Sequence, residues 1–318
     1  MRTLIIGSGT YGSLAGAALI EAGVKVTFLV RPARQRQLIS TGLHITSPLG
    51  RFRKPVIALA PSELHGTFDT VILATRANVY QMGLFLAREA ITPDATIMPM
   101  FDGVHHLGHW RECYPANPIV LAWFDLRASM DADGIVRQTA PAGDLVLGLQ
   151  SVFGAGQLDA LHHALDGRRF RARVAADGDA VLAQGGARAI YRAAAAGASR
   201  LSGMALRDAV RFHSRKLFDK LLDEGISVAE ARRIPHIRIA VSRYRTGFQR
   251  EGEPIMAPTP IAAGGRAGSE ALFLLGNMLR QAQDVKVPVP LLMRAWTTTP
   301  PSMASSAVTQ SEDAAVCG

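Results

Sequence analysis

The residues with the clearest chemical meaning stand near the start of the chain, where Gly7-Ser8-Gly9-Thr10-Tyr11-Gly12 fits G-x-G-x-x-G. In that pattern the first glycine permits a tight turn, the second lets a diphosphate approach the backbone, and the third lets a helix pack closely on a strand. The amides of such a loop, with the N-terminus of the helix that follows, form an anion site. Gly7, Gly9, Thr10, Tyr11 and Gly12 are therefore cofactor-binding candidates, and a purely structural turn is the competing account. At the end of the next apolar run, an NAD site places an acid against the ribose hydroxyls. This chain instead has Val30-Arg31-Pro32-Ala33-Arg34. An acid repels a 2′-phosphate and a guanidinium binds it, so Arg31, with Arg34 near it, points to NADP; a solvated loop arginine is the alternative.

Two further side chains have proton-transfer chemistry. His105 and His106 lie just beyond an expected strand, at the end where cofactor-facing loops gather, and imidazole titrates near neutrality. Turn histidines also serve as solvent-facing caps. No Gly-x-Ser-x-Gly elbow, His-Glu-x-x-His or P-loop lysine occurs, so hydrolase and kinase chemistry lack support. The two cysteines, Cys113 and Cys317, offer at most one bridge and no Cys-x-x-Cys spacing, so no metal site is expected.

These residues need a frame. Residues 3–6 read as a buried parallel strand, 7–12 as a turn, 13–22 as a helix ended by Gly23, and 24–30 as a second strand. Further strands are expected at 43–46, 55–58, 70–74, 95–98 and 119–123, an alternation that means an α/β Rossmann fold with a doubly wound sheet. Beyond a strand at 146–149, helical patterns at 157–165, 178–201, 206–223, 228–244 and 269–283 predict an all-helical C-terminal domain. The expected organisation is a Rossmann domain at 1–174, a helical domain at 175–296, and a disordered tail at 297–318 that is poor in large apolar residues.

A length of 318 residues fits two domains, and 48% hydrophobic against 19% charged residues excludes wholesale disorder. The net charge of +9 comes from scattered basic residues with no nucleic-acid module, and suits an anionic cofactor better than a nucleic-acid partner. The apolar run before Gly7 is too short for a signal peptide or membrane span, so the expectation is a cytoplasmic protein with no membrane partner.

Gly7 to Gly12, Val26-Thr-Phe-Leu-Val-Arg31, Gly42-Leu43, Phe68-Asp-Thr-Val-Ile-Leu-Ala-Thr-Arg76 and Pro99-Met-Phe-Asp-Gly-Val104 together resemble the ketopantoate reductase family. Glu270 to Gly276 and Val287-Pro-Val-Pro290 resemble its closing helix and proline turn. The resemblance implies an NADP-binding Rossmann domain joined to a helical domain, a small-molecule substrate in the cleft between them, and a monomer or homodimer. It places Arg76 where the family has a cofactor-side lysine. It places Asp102 where an asparagine lies beside the nicotinamide, which makes Asp102 a cofactor- and substrate-binding candidate.

On the long helix, Arg188, Arg192 and Ala196 stand where the family carries its catalytic lysine and two asparagines, and four-residue spacing keeps them on one face. Guanidinium stays protonated, so Arg188 is an oxyanion clamp rather than a general acid, with Arg192 as a substrate contact. Glu270 matches the family's substrate-binding glutamate, while the accompanying Asp and Asn are Leu272 and Leu275. A solvated arginine face and a first-turn acid favoured by the helix dipole are the competing accounts. The catalytic candidates are thus Arg188, Glu270 and His105. The expected function is NADPH-dependent hydride transfer to a small carbonyl, such as a 2-oxo acid, or to an imine. The alternative is a non-catalytic NADP-binding sensor or interaction protein.

Overall fold

Thr3-Leu4-Ile5-Ile6 has no exposed face, and in the computed structural model it lies in β1 (Arg2–Ile6), the middle strand of a five-stranded parallel sheet. The structure describes residues 1–75, 79–100, 107–125, 128–151, 153–204, 209–210, 215–251 and 266–298. After β1 come α1 (Thr10–Glu21), β2 (Lys25–Leu29) and α2 (Pro32–Thr41), then the hairpin β3 (Leu43–Ser47) and β4 (Gly50–Lys54), and then β5 (Ile57–Leu59). They are followed by β6 (Phe68–Leu73), α3 (Tyr80–Ala87) and β7 (Ile91–Pro99). The parallel sheet has the order β5-β2-β1-β6-β7, with Thr3 opposite both Val26 and Thr70. The winding reverses at β1, so the turns leaving β1 and β6 flank a crevice at the carboxyl ends of the strands, where open α/β sheets bind ligands.

The expected Rossmann arrangement is present, but two of the expected strands leave the parallel sheet. Residues 43–46 fold back on β4 because Gly42 and Gly50, at φ 74° and 104°, supply the reversals. That hairpin continues through β10 (Val136–Gln138) to β9 (Ala128–Met130). Residues 119–123 contribute to β8 (Val120–Asp125), which pairs with β11 (Gly143–Leu149) and, through it, with β12 (Phe170–Val174). Helices α4 (Leu107–Cys113) and α5 (Ala155–Leu165) complete this part. Helix α1 is built from small residues so that it can lie close to β2: a β-carbon on Gly16 would fall 2.3 Å from Phe28 Cζ.

The chain divides into two compact units at Val181–Leu182, in the first turns of α6 (Gly178–Ser202). The second unit is helical, with α7 (Arg215–Ala231), α8 (Ile237–Glu251), α9 (Arg266–Asp284) and α10 (Pro290–Thr297). Its core joins alanines of α6 to Phe218, Leu221, Ile237, Leu274, Leu275 and Leu292. The helix break expected between 223 and 228 is absent. Gly225 is helical, and its missing side chain lets α7 approach Ile190, since a β-carbon would sit 2.7 Å from Ile190 Cγ2. The break falls instead at Ile234-Pro235, between Arg233 and His236 at φ 59° and 56°. No helix among the described residues is long and apolar enough to cross a membrane. The expected tail lies outside the described residues from 299 onward.

Candidate functional site

The three glycines of the first turn have different reasons for being glycine. Gly7 lies at φ 97°, and a β-carbon there would stand 2.9 Å from the Ala74 carbonyl oxygen at the end of β6. At Gly12 a β-carbon would come within 2.2 Å of the Gly7 carbonyl oxygen. Both are required by the packing of α1 against the two central strands. Gly9 is different: its backbone is extended, at φ −71° and ψ −166°, and a β-carbon there would meet nothing within 4 Å. The protein's own packing does not call for glycine at this position. What Gly9 leaves clear is the approach of a ligand to the backbone, which is the fit a dinucleotide diphosphate requires.

Helix α1 starts at Thr10, so the second half of the glycine pattern is already helical, with the Ser13 amide donating to the Gly9 carbonyl at 2.9 Å. Gly9 brings no capping side chain and the first turn holds no acid. The positive end of the helix dipole at Thr10 and Tyr11 therefore has no acid in its own first turn. Tyr11 is 38% exposed and its ring lies 4.3 Å from that of Phe124. Thr75, which sequence reasoning passed over, follows Ala74 beside this turn. Its buried hydroxyl has no hydrogen-bond partner among the described residues. Only its place just past an apolar strand could have drawn attention to it.

Arg31 caps the N-terminus of α2, where Pro32 starts the helix with its φ already set. Its side chain is exposed and makes no hydrogen bond or ion pair among the described residues. Arg34 does not join it as a second clamp. As a residue of α2 it turns inward, donating from Nε to Ser8 Oγ at 2.8 Å and from Nη2 to the Ser8 carbonyl at 3.2 Å. Burial, with no carboxylate paired to it among the described residues, lowers its pKa.

In the helical unit Arg188 is 6% exposed, Arg192 is half-buried and Ala196 is fully buried, so the shared face is not a solvated one. Tyr191, read as a packing residue, stacks edge-on against Phe218 with ring centroids 5.0 Å apart. Leu272 and Leu275 pack with the core of this unit. Two buried polar residues of α9, Asn277 and Gln281, were not singled out from the sequence, where they look like any amides on an amphipathic helix. Glu270 belongs to α9, but its side chain lies outside the described residues, as do Arg76, Asp102, His105 and His106. Among the described residues no group of three His, Cys, Asp or Glu could hold a metal.

Comparison with known proteins bears on these features directly. Residues 3–151 match the family model described as ketopantoate reductase PanE/ApbA. Just under half of the chain is thus similar to ketopantoate reductases in sequence. This ketopantoate reductase-like chain is 29% identical over 171 residues to the uncharacterized oxidoreductase YkpB of Bacillus subtilis, an alignment covering 52% of this chain and just 55% of that protein. It is 22% identical to the 2-dehydropantoate 2-reductase of Halobacterium salinarum, over 92% of this chain and 95% of the relative. Among solved structures it is similar to 2-dehydropantoate 2-reductase from Methylococcus capsulatus, with a TM-score of 0.74 and 21% identity over 93% of this chain and 94% of that one. It is also similar to a D-mandelate dehydrogenase solved with NADH and anilino(oxo)acetate, with a TM-score of 0.78 and 17% identity over 93% and 96% of the two chains. The family is one of oxidoreductases, and its fold is shared across this low identity.

Proposed function

We propose that this protein is an NADPH-dependent reductase of a small carbonyl or imine compound, with 2-oxo acids the first class to test. The observation that carries the reading is the open approach over Gly9, at the acid-free N-terminus of α1, in a family domain of oxidoreductases. Gly7, Gly9, Thr10, Tyr11 and Gly12 hold the diphosphate. Arg31, exposed just past β2 and without a partner among the described residues, takes the 2′-phosphate. Arg76 and Asp102 add contacts nearer the nicotinamide. A bound dihydronicotinamide supplies a hydride. Arg188 and Arg192 hold a substrate carboxylate or the developing oxyanion, because guanidinium stabilises negative charge without giving up its proton.

Reduction of a ketone also consumes a proton, which His105, His106, Glu270 or water supplies. Reduction of an iminium does not, and there Asp102 or Glu270 serves as the countercharge. The D-mandelate dehydrogenase neighbour, solved with NADH and anilino(oxo)acetate, supports giving 2-oxo acids priority.

The test is loss of NADPH absorbance with purified protein across 2-oxo acids, including ketopantoate, and cyclic imines, with NADPH and NADH binding measured in parallel. Turnover on one class is expected. Tight binding with no turnover on any of them would favour a nucleotide-binding protein without catalysis. Arg31→Ala should weaken NADPH by about tenfold or more, the loss of one or two charge-assisted hydrogen bonds, and leave NADH nearly unchanged. Equal losses for both would remove the 2′-phosphate assignment.

A further inference from the structure

Ser8 stands between Gly7 and Gly9, so the segment that meets the diphosphate has glycine on both sides. Glycine loses more backbone freedom on ordering than any other residue, and a loop ordered only when ligand binds loses affinity by that amount. Yet Ser8 is 4% exposed and held by three hydrogen bonds. The Ser13 hydroxyl donates to its carbonyl oxygen at 3.1 Å, Arg34 Nη2 donates to the same oxygen at 3.2 Å, and Arg34 Nε donates to its hydroxyl at 2.8 Å.

The rest of the Arg34 guanidinium is anchored on the opposite side. Its Nη1 donates to Gln37 Oε1 at 2.6 Å and to the Gly134 carbonyl at 3.2 Å, at the turn between β9 and β10. Gln37 in turn donates to the Asp133 carbonyl of the same turn. That turn is itself fixed, with the Ile135 amide donating to Asp131 Oδ1 at 2.9 Å and Arg137 paired to Asp131 at 2.9 Å. Gly134 leaves the slot the guanidinium occupies: it lies at φ 71°, and a β-carbon there would fall 2.0 Å from Arg34 Nη1.

We infer that Arg34 is a positioning residue that holds the glycine-rich turn in its diphosphate-binding shape, by tying Ser8 to the rigid turn at 131–135. The inference rests on the nucleotide-binding reading above and departs from it in one respect. Arg31 recognises the 2′-phosphate, which only NADPH has, whereas Arg34 acts on the part of the site that meets the diphosphate, common to NADPH, NADH and ADP. A planar fork is what the arrangement needs, since one side of the guanidinium faces Ser8 and the other faces Gln37 and Gly134.

The experiment measures Kd for NADPH, NADH and ADP with the full-length wild type, Arg34→Met, Arg34→Lys, Ser8→Ala, Gly134→Ala and Arg31→Ala. Arg34→Met should weaken all three ligands by one common factor of about tenfold, the scale of a charged hydrogen bond lost from a preorganised loop. Arg34→Lys should not rescue, because an ammonium cannot span both sides. Gly134→Ala should reproduce the common loss from the far side of the contact. Ser8→Ala should give a smaller common loss, of about threefold on the same scale, and it keeps the test decisive if Arg34→Met fails to fold. A loss confined to NADPH would overturn the inference by making Arg34 a phosphate contact. Unchanged affinities, or full rescue by lysine, would overturn it too. A wild type that binds none of the three would overturn the nucleotide-binding reading along with it.

Discussion

At the scale of single residues, the most consequential side chain outside the nucleotide turn is Arg169. It is 6% exposed, donates from Nε and Nη2 to the two carboxylate oxygens of Glu21 at 2.9 and 2.8 Å, and lies 4.9 Å from the centre of the Phe52 ring. One guanidinium thereby joins the end of α1 to β4 and β12. Glu21→Ala leaves that charge buried without its partner, so urea unfolding should show a loss of about 3 kcal/mol, well above what an exposed pair would cost. Asp131 offers a test by pH. Its carboxyl is held below the usual carboxylate range, first by the Ile135 amide and further by Arg137. A carboxyl with a folded pKa below its unfolded one stabilises the turn above the unfolded value and stops doing so as the pH falls through the folded one. The protection of the Ile135 amide, taken as its exchange rate against the intrinsic rate at the same pH, should therefore fall as the pH drops below about 4, and Asp131→Asn should remove that change in protection. The sequence made Gly7, Gly9 and Gly12 legible as the glycines of a strand-turn-helix because that arrangement follows from a local pattern. Arg34 was not legible, since its partners at Ser8 and Gly134 are fixed only when distant segments meet.

At the scale of elements, α10 shows how the second unit fixes a short helix. Eight residues are too few to hold a helix by propensity, so its ends must be satisfied from outside. Glu224 of α7 accepts the Leu291 and Leu292 amides, each at 2.9 Å, and Arg200 at the end of α6 donates to the Ala295 carbonyl at 2.8 Å and the Trp296 carbonyl at 3.3 Å. A carboxylate at the N-terminus and a guanidinium at the C-terminus both complement the helix dipole. Glu224→Ala should cost about 1–2 kcal/mol, read as a lower urea midpoint. NADPH affinity should stay unchanged, because Gly7 to Gly12 and Arg31 belong to the first unit and α10 to the second. The strands of the parallel sheet could be read from apolar runs alone. Helix α2 could not, because Arg31-Pro-Ala-Arg has the composition of a turn and only Leu38 of the helix is buried. The end of α7 was misplaced for a related reason. Gly225 has the look of a helix stop, and only the close approach of Ile190 explains why the helix runs through it.

At the scale of the whole molecule, the two units have separate cores, one drawn from residues between Ile5 and Phe170 and the other from residues between Ala183 and Ala295. The nucleotide turn belongs wholly to the first. Arg188 and Arg192 belong to the second, and no local pattern in the sequence says what they contact. That is why the glycine turn could be read further from the sequence than the helical unit. The chain's three tryptophans allow the units to be followed separately: Trp110 and Trp123 report on the first, and Trp296, against Gly276 of α9, reports on the second. A ligand bound only by native protein at one hundred times its Kd adds about 2.7 kcal/mol to the stability of the unit that binds it. In urea, NADPH should therefore raise the fluorescence midpoint of Trp296→Phe protein, whose remaining tryptophans lie in the first unit. It should leave the midpoint of the Trp110→Phe, Trp123→Phe double variant where it was. An equal shift in both would mean that the two cores unfold as one cooperative unit, and the stabilisation from the nucleotide would then extend to the helices that carry Arg188.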